Sequence, residues 1–321
     1  MIKNYMFQMC LGENTNDDSP TRANIYGGKF ETKLNTDKAV WDEIAEKAVE
    51  FGFNAVLIDL ADGVKYKSHP EIAVEGAWEV EELRKELARL REMGLTPYPK
   101  LNFSTAHDAW LKVYSRMVST KKYYEVVRDL IHEVIDIFDT PEMLNLGLDD
   151  ENSKSQIRYD YACFRQYELY WHDYKFFLDC VREKDVRPWV NVDSYVLDKE
   201  KFVEHTDKDV VISVAYSGTF YEDEYTPLPQ PTNDPKNPEY DLYTRYISHT
   251  ELPNLGYDII PTYTNLVKNV GVEFTVKYVN ENLSEDKVKS LLVAPPYTTV
   301  PVNKYSFFNL FYQTKFARKD I

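Results

Sequence analysis

Short apolar runs alternate with longer amphipathic stretches along the whole of this 321-residue chain. The short runs have the length of buried strands, and the longer stretches repeat apolar residues at helical spacing. Such an alternation is typical of parallel β-α units, and eight strands close a barrel. The sequence therefore predicts a single-domain (β/α)8 TIM barrel over residues 1–321. The predicted strands are 5–11, 54–60, 97–103, 144–149, 188–193, 210–216, 258–263 and 289–294.

A doubly wound open sheet is the competing architecture for the same alternation. Such sheets that bind dinucleotides carry a glycine-rich turn after the first strand. The turn here is Leu11-Gly12-Glu13-Asn14, which lacks the GxGxxG spacing, and the barrel is therefore favoured. Helices are predicted at 36–51, 80–93, 120–138, 163–183, 199–205, 241–250, 266–283 and 302–318, and 217–240 is the longest irregular segment.

The composition excludes several partners. The chain has 53 acidic and 38 basic residues, a formal charge of −15, which repels phosphate backbones and anionic lipid. We therefore expect no nucleic acid and no membrane as partner, and the apolar run at the amino terminus is too short for a signal peptide. Three cysteines, Cys10, Cys163 and Cys180, show no zinc or CxxC spacing. A cytoplasmic location is expected.

Polar residues recur on one face of several predicted strands. In the fourth strand three leucines alternate with Asn145, Gly147 and Asp149. Because side chains alternate along a strand, one set should pack on the helices and the other should fill the lumen. In the seventh strand Tyr263 shares its parity with Asn265. The predicted polar lumen set is Asp59, Lys100, Asn102, Asp149, Asn191 and Asp193.

Each polar group that is buried without a partner costs several kcal/mol, so the presence of six polar residues in the predicted lumen needs an explanation. One interpretation is a small-molecule site at the carboxyl ends of the strands, where barrels of this class place their sites. The other is an internal salt-bridge network, for instance Lys100 with Asp149 or Asp193. The two interpretations are compatible.

Three consecutive carboxylates, Asp149, Asp150 and Glu151, follow the fourth strand. Cleavage of a glycosidic bond needs a protonated acid near the leaving oxygen and a second group that stabilises positive charge. Crowded carboxylates raise one another's pKa, which makes an acid available near neutral pH. A solvated loop, or an acidic cluster at a helix amino terminus, is the structural alternative.

The segment Leu144-Asn145-Leu146-Gly147-Leu148-Asp149-Asp150-Glu151 resembles the strand-four motif of glycoside hydrolase family 20, the β-N-acetylhexosaminidases. That motif ends Gly-Gly-Asp-Glu after a His. Here Asn145 stands at the His, Leu148 at the second Gly and Asp150 at the Glu, while Asp149 matches the Asp. The resemblance implies that Asp149 orients the acetamido group of the substrate. It also implies that Asp150, or the neighbouring Glu151, is the general acid.

The predicted loops at the same face supply further candidates. His69 and His107 follow the second and third strands and could bind a sugar hydroxyl or act as acid or base. Tyr216 offers an aromatic face for a sugar ring, and the resemblance gives Tyr263 a substrate contact. The segment 217–240 is interpreted as a lid or an interface loop. The candidate substrate-binding residues are Asp59, His69, Lys100, Asn102, His107, Asn191, Asp193, Tyr216, Tyr263 and Asn265.

Three functions remain open at this point. The first is a glycoside hydrolase that cleaves a small oligosaccharide or glycoside by carboxylate acid catalysis. The second is a non-catalytic carbohydrate-binding barrel. The third is a metal-dependent sugar isomerase or an aldolase-like barrel, with Lys100 as the Schiff-base candidate. No HxH or HExxH spacing is present, so no metal or cofactor is predicted. The expected partner is a small carbohydrate, and the oligomeric state stays open.

Overall fold

The computed structural model describes residues 2–12, 31–156, 162–216, 218, 220–221, 227–264, 272–295 and 298–318. The strands are β1 (Tyr5–Cys10), β2 (Ala55–Asp59), β3 (Val64–Lys65), β4 (Trp78–Glu79), β5 (Thr96–Lys100), β6 (Met143–Asn145), β7 (Arg187–Asn191), β8 (Val211–Ala215), β9 (Asp258–Tyr263) and β10 (Leu291–Val293). Eight of them form a closed parallel barrel in the order β1-β10-β9-β8-β7-β6-β5-β2, while β3 and β4 pair outside it. The predicted single-domain (β/α)8 fold is confirmed.

Helices connect the strands and surround the barrel. They are α1 (Lys38–Glu50), α2 (Val80–Glu92), α3 (Lys121–Ile137), α4 (Tyr167–Arg182), α5 (Asp193–Leu197), α6 (Lys199–His205), α7 (Tyr240–Asn254), α8 (Val272–Asn282) and α9 (Lys304–Ala317). Two caps explain where α1 and α3 begin: Asp37 accepts from the backbone N–H of Ala39 at 2.9 Å, and Thr120 accepts from that of Tyr123 at 3.3 Å. None of the helices in the described ranges combines the length and the apolarity that a membrane span requires.

The alternation of side chains on the strands divides the core into two layers. The outer layer lies between strands and helices and includes Val56, Leu101 and Leu146. The inner layer forms an apolar floor inside the barrel. Its buried residues are Met6, Ala55, Leu57, Met143, Trp189, Val211, Ile260, Leu292 and Ala294. The predicted parity is therefore correct for β2, β5, β6 and β7, and polar residues of the inner parity lie above this floor.

The structure corrects two sequence expectations about strand ends. Tyr263 packs in the outer layer and is in register with Val293, another outer residue, so its expected lumen orientation is wrong. The reason is that the two polar residues of β9 alternate with Tyr263 and belong to the inner parity. Asp193 opens the short helix α5 instead of ending a strand. Asn265 lies outside the described residues.

Candidate functional site

A buried ion pair forms the lowest polar layer above the floor. The Lys100 Nζ lies 2.9 Å from Asp59 Oδ2 and donates to Gln8 Oε1 at 3.5 Å. Burial lowers the pKa of Lys100, but the charges of Asp59 and Asp149 outweigh burial and raise that pKa overall. Lys100 is thus held as an ammonium group, which cannot attack a carbonyl as a Schiff-base lysine must. The pair Lys100–Asp59 replaces the expected pairing of Lys100 with Asp149 or Asp193.

Asn102 links the ends of β5 and β6 and holds Asp149. Its Nδ2 donates to Asp149 Oδ1 at 2.8 Å, and its Oδ1 accepts from the backbone N–H of Ser104 at 3.1 Å and of Leu148 at 3.3 Å. Gly147 passes directly beneath with a φ of +68°, and a Cβ there would lie 2.0 Å from Asn102 Oδ1. Only glycine fits this position, because it tolerates the left-handed backbone and leaves room for the amide.

His107 lies between the two motif aspartates at the mouth of the barrel. Its Nε2 is 3.5 Å from Asp149 Oδ2 and 3.7 Å from Asp150 Oδ2, distances of an ion pair and not of a hydrogen bond. Burial lowers the pKa of His107, but Asp149 and Asp150 outweigh burial and raise it above the ordinary value. The sequence placed His107 at this face, and the structure brings it into the carboxylate cluster.

Asp150 is the exposed member of the cluster, with 52% of its side chain accessible. Its contact with His107 and the charges of His107 and Arg245 lower the pKa of the Asp150 carboxyl. Ser155 Oγ also donates to Asp150 Oδ1 at 3.1 Å. The lowered pKa favours the carboxylate form of Asp150, and its titratable neighbour in the cluster is His107. Ligand atoms of His107, Asp149 and Asp150 lie within 4.8 Å of one another, a spacing that could also hold a metal ion.

Asp193 has both carboxylate oxygens engaged. Arg245 NH2 donates to Oδ1 at 2.7 Å and Arg245 NH1 to Oδ2 at 3.3 Å, and Oδ1 also accepts from the backbone N–H of Asp150 at 3.3 Å. Burial raises the pKa of Asp193, and the Arg245 charge offsets that rise only in part. Asn191 ends β7 beside this pair, half-buried and in register with Ser213 of β8.

Glu151 points away from the mouth into a buried network. Its Oε2 lies 2.9 Å from Arg165 NH1, and its two oxygens accept from the backbone N–H groups of Arg165 at 3.0 Å and Thr105 at 3.2 Å. Arg165 Nε lies 2.9 Å from Asp173 Oδ2 of α4. Only 2% of the Glu151 side chain is exposed. Of the two acids that the sequence left open, Asp150 is thus at the mouth and Glu151 belongs to the loop scaffold.

Two more predicted residues lie in other surroundings. The ring nitrogens of His69 lie 3.1 Å from Glu71 Oε1 and 3.1 Å from Asp129 Oδ2 of α3, which ties this ring to an outer helix. Tyr216 packs in an aromatic cluster, with its ring centroid 4.9 Å from that of Phe220. The structure does not bring either residue into contact with the His107–Asp149–Asp150 cluster.

The sequence reasoning missed two residues of the site. Gln8 lies in the lumen and contacts Lys100, and the alternation of Met6, Gln8 and Cys10 along β1 could have revealed it. Arg245 lies on α7, and no local pattern distinguishes it from a surface arginine. Its role follows only from the fold, which brings α7 beside Asp193.

These features define the class of this protein as a closed (β/α)8 barrel with a cluster of carboxylates at the ends of its strands. It is similar to a β-N-acetylhexosaminidase from Bacteroides fragilis, with a TM-score of 0.62 and 12% identity over 97% of this chain and 65% of that one. It is also similar to a catalytic module of the pneumococcal exo-β-D-N-acetylglucosaminidase StrH, with a TM-score of 0.60 and 16% identity over 99% and 84%. A third similar structure is an exo-β-N-acetylglucosaminidase from Vibrio harveyi in complex with N-acetylglucosamine, with a TM-score of 0.60 and 13% identity over 99% and 56%.

The chain therefore spans less than two thirds of the first of these structures. No protein-family model matches the sequence, and no curated protein matches it. At these identities the likeness establishes the fold, and the chemistry has to be argued from the site.

Proposed function

We propose that this barrel is a glycoside hydrolase that releases an N-acetylhexosamine from a small glycoside. The observation that carries the proposal is the cluster of His107, Asp149 and Asp150 at the carboxyl end of a family-20-type barrel. Asp149 has one oxygen held by Asn102 and a partly exposed carboxylate, as a group that orients an acetamido N–H requires. The acetamido oxygen of the substrate then attacks the anomeric carbon, and no enzyme nucleophile is needed.

Asp150 and His107 together supply the proton in this proposal. In the free site the neighbouring carboxylates raise the pKa of His107, and the contact with His107 lowers the pKa of Asp150. A bound sugar displaces water from the mouth, which disfavours the separated charges and favours a neutral acid at Asp150. His107 Nε2 then passes its proton to Asp150 Oδ2, and Asp150 protonates the leaving oxygen as the glycosidic bond breaks.

We place this activity in the cytoplasm on small or trimmed oligosaccharides. Cys10, Cys163 and Cys180 form no disulfide in the part of the chain that the structure describes, as is usual in a reducing compartment.

The test is hydrolysis of nitrophenyl glycosides by the wild type, Asp150→Asn and Asp149→Asn, each with and without EDTA. We expect turnover of the N-acetylglucosaminide and not of the glucoside, which lacks the attacking acetamido oxygen. Asp150→Asn should lower kcat by about 10²- to 10⁴-fold, because the proton donor is lost. Asp207→Asn is the matched control, since Asp207 is 79% exposed and remote from the cluster. Full activity of Asp150→Asn would contradict the proposal.

A non-catalytic carbohydrate-binding barrel is the second candidate, and one observation favours it. Asp150 is shorter than the Glu of the family motif and is held as a carboxylate. If no glycoside of the panel is cleaved but N-acetylglucosamine raises the Tm of the wild type and not of Asp149→Asn, this second function is the correct one. Activity that EDTA abolishes would instead indicate a metal at His107, Asp149 and Asp150.

A further inference from the structure

An ion pair stands directly behind the loop that carries Asp150. Arg245 on α7 donates from both terminal nitrogens to Asp193, at 2.7 and 3.3 Å, and its Nε donates to Asp241 at 3.0 Å. Every nitrogen of the guanidinium group thus has a carboxylate partner. Both oxygens of Asp193 also accept hydrogen bonds, so these two charged groups are already engaged within the protein.

The same pair holds the backbone of Asp150. Asp193 Oδ1 accepts the Asp150 N–H at 3.3 Å, and Asp150 has a φ of +56°, in the left-handed region that Asp and Asn adopt more often than most other residues with a side chain. This φ sets the direction of the Asp150 side chain toward His107. The Asp193 carboxylate, on helix α5 after β7, thus connects the segment after β6 with helix α7 after β8.

We propose that Asp193 and Arg245 are positioning residues that fix the Asp150 backbone and thereby keep its carboxylate against His107. This assigns Asp193 a different role from the sugar contact that the sequence suggested. The inference rests on the proposed function only for its effect on turnover, because the geometry it describes belongs to the free protein.

The direction in which the pKa of His107 shifts when Arg245 is removed shows whether Arg245 positions Asp150. The titratable groups that face His107 are Asp149, Asp150 and Lys100, together with Asp108, which follows His107 in the chain. If Arg245 acts only as a distant positive charge, its removal raises the pKa of His107. If Arg245 positions Asp150, its removal lets that carboxylate move away, and the pKa of His107 falls.

The experiment is a proton NMR titration of the histidine rings in the full chain, with the His107 signal assigned from His107→Gln. We expect Arg245→Gln to lower the pKa of His107 by about one unit, as loss of a nearby carboxylate does. Arg245→Lys should restore part of the shift, since one ammonium contact to Asp193 remains. Arg182→Gln is the matched control: Arg182 also makes a bidentate pair, with Asp209 at 2.8 and 2.7 Å, ahead of β8 at the opposite end of the barrel.

A His107 pKa that rises or stays unchanged in Arg245→Gln would overturn the inference, as would the same fall in Arg182→Gln. Asp193→Asn provides a second variant if Arg245→Gln does not fold, and it should lower the same pKa. Where the wild type cleaves the N-acetylglucosaminide, Arg245→Gln should lower kcat about 100-fold with KM within about twofold. Wild type without turnover would refute the proposed function alone, since the histidine titration needs no substrate.

Discussion

Asp150 and Glu151 are neighbours in the chain, yet their side chains have opposite environments. Asp150 is half exposed at the mouth, and Glu151 is enclosed by Arg165 and two backbone N–H groups. Because Asp150 adopts a positive φ, the backbone turns sharply there and sends the next side chain below the loop. A carboxylate triplet in the sequence therefore contributes two groups to the mouth and one to the scaffold.

Asp108 is a third kind of carboxylate in this region, since it is 3% exposed and burial raises its pKa well above the ordinary value. The unfolded chain releases the Asp108 proton near its usual pKa of 3.8, while the folded chain retains it to a higher pH. The free energy of unfolding therefore falls as pH rises through this window, by up to about 1.4 kcal/mol per pH unit.

Asp108→Asn should remove this loss, because an amide does not ionise. We expect the variant to be more stable relative to wild type at pH 7 than at pH 4, measured by urea unfolding at both values. Asp207→Asn, at an exposed position, should show no such dependence. A wild type and an Asp108→Asn variant with the same pH dependence would show that Asp108 ionises normally in the fold.

At the scale of elements, the turn after β6 carries the site. Gly147, Leu148 and Asp150 all have positive φ, and Asn102 from the end of β5 fills the space above Gly147. The sequence predicted the strand, its parity and the lumen position of Asn102, since alternation encodes all three. The sequence did not predict the turn after β6. Three of its four residues 147–150 have a left-handed backbone, and the contacts that hold this conformation come from Asn102 after β5 and Asp193 on α5.

Gly147→Ala tests this turn. The added Cβ would meet Asn102 Oδ1 at 2.0 Å, so the amide must leave Asp149 and the two backbone N–H groups it binds. We expect the free energy of unfolding to drop by about 2–4 kcal/mol, from backbone strain and lost hydrogen bonds, with turnover reduced in the folded protein.

Gly94→Ala is the matched control for Gly147→Ala. Gly94 also has a positive φ, of +87°, but a Cβ there has no heavy atom within 4 Å. Only strain of about 1 kcal/mol is expected, with turnover unchanged. Equal losses of stability in the two variants would show that the Asn102 side chain moves away from the added Cβ without lowering the free energy of unfolding.

At the scale of the whole molecule, the barrel is apolar at its floor and polar at its mouth. Trp189 is fully buried in the floor and donates from Nε1 to Ser213 Oγ at 2.7 Å. Eight apolar runs were enough to predict this closed barrel, because each strand is short and each connection helical. The pairs that complete the site were not predictable from a local pattern: Arg165 contacts Glu151 through the fold of the loop after β6, and Arg245 on α7 contacts Asp193 on α5.

Trp189→Ala should lower stability, which depends on the apolar floor, without abolishing turnover, which depends on the mouth of the barrel. Removing this ring leaves a cavity in the lumen, and we expect the free energy of unfolding to fall by about 3–5 kcal/mol in urea denaturation. Turnover of the folded fraction should persist, since the His107–Asp149–Asp150 cluster lies above the floor. Tyr312→Ala, at a 59% exposed position, should cost less than about 0.5 kcal/mol. A wild-type stability in Trp189→Ala would mean that the floor repacks around the missing ring.

The seam between β1 and β10 sets an order of events during synthesis. Tyr5 of β1 pairs with Leu291 of β10, so the first strand of the barrel waits for its last strand before the ring of strands can close. Contacts so distant along the chain slow folding, and they leave an open strand edge in the meantime. The residues of the His107–Asp149–Asp150 cluster are made in the first half of the chain. They are therefore made before β10, so a chain that ends short of β10 carries every residue of this cluster but lacks the strand that closes the barrel.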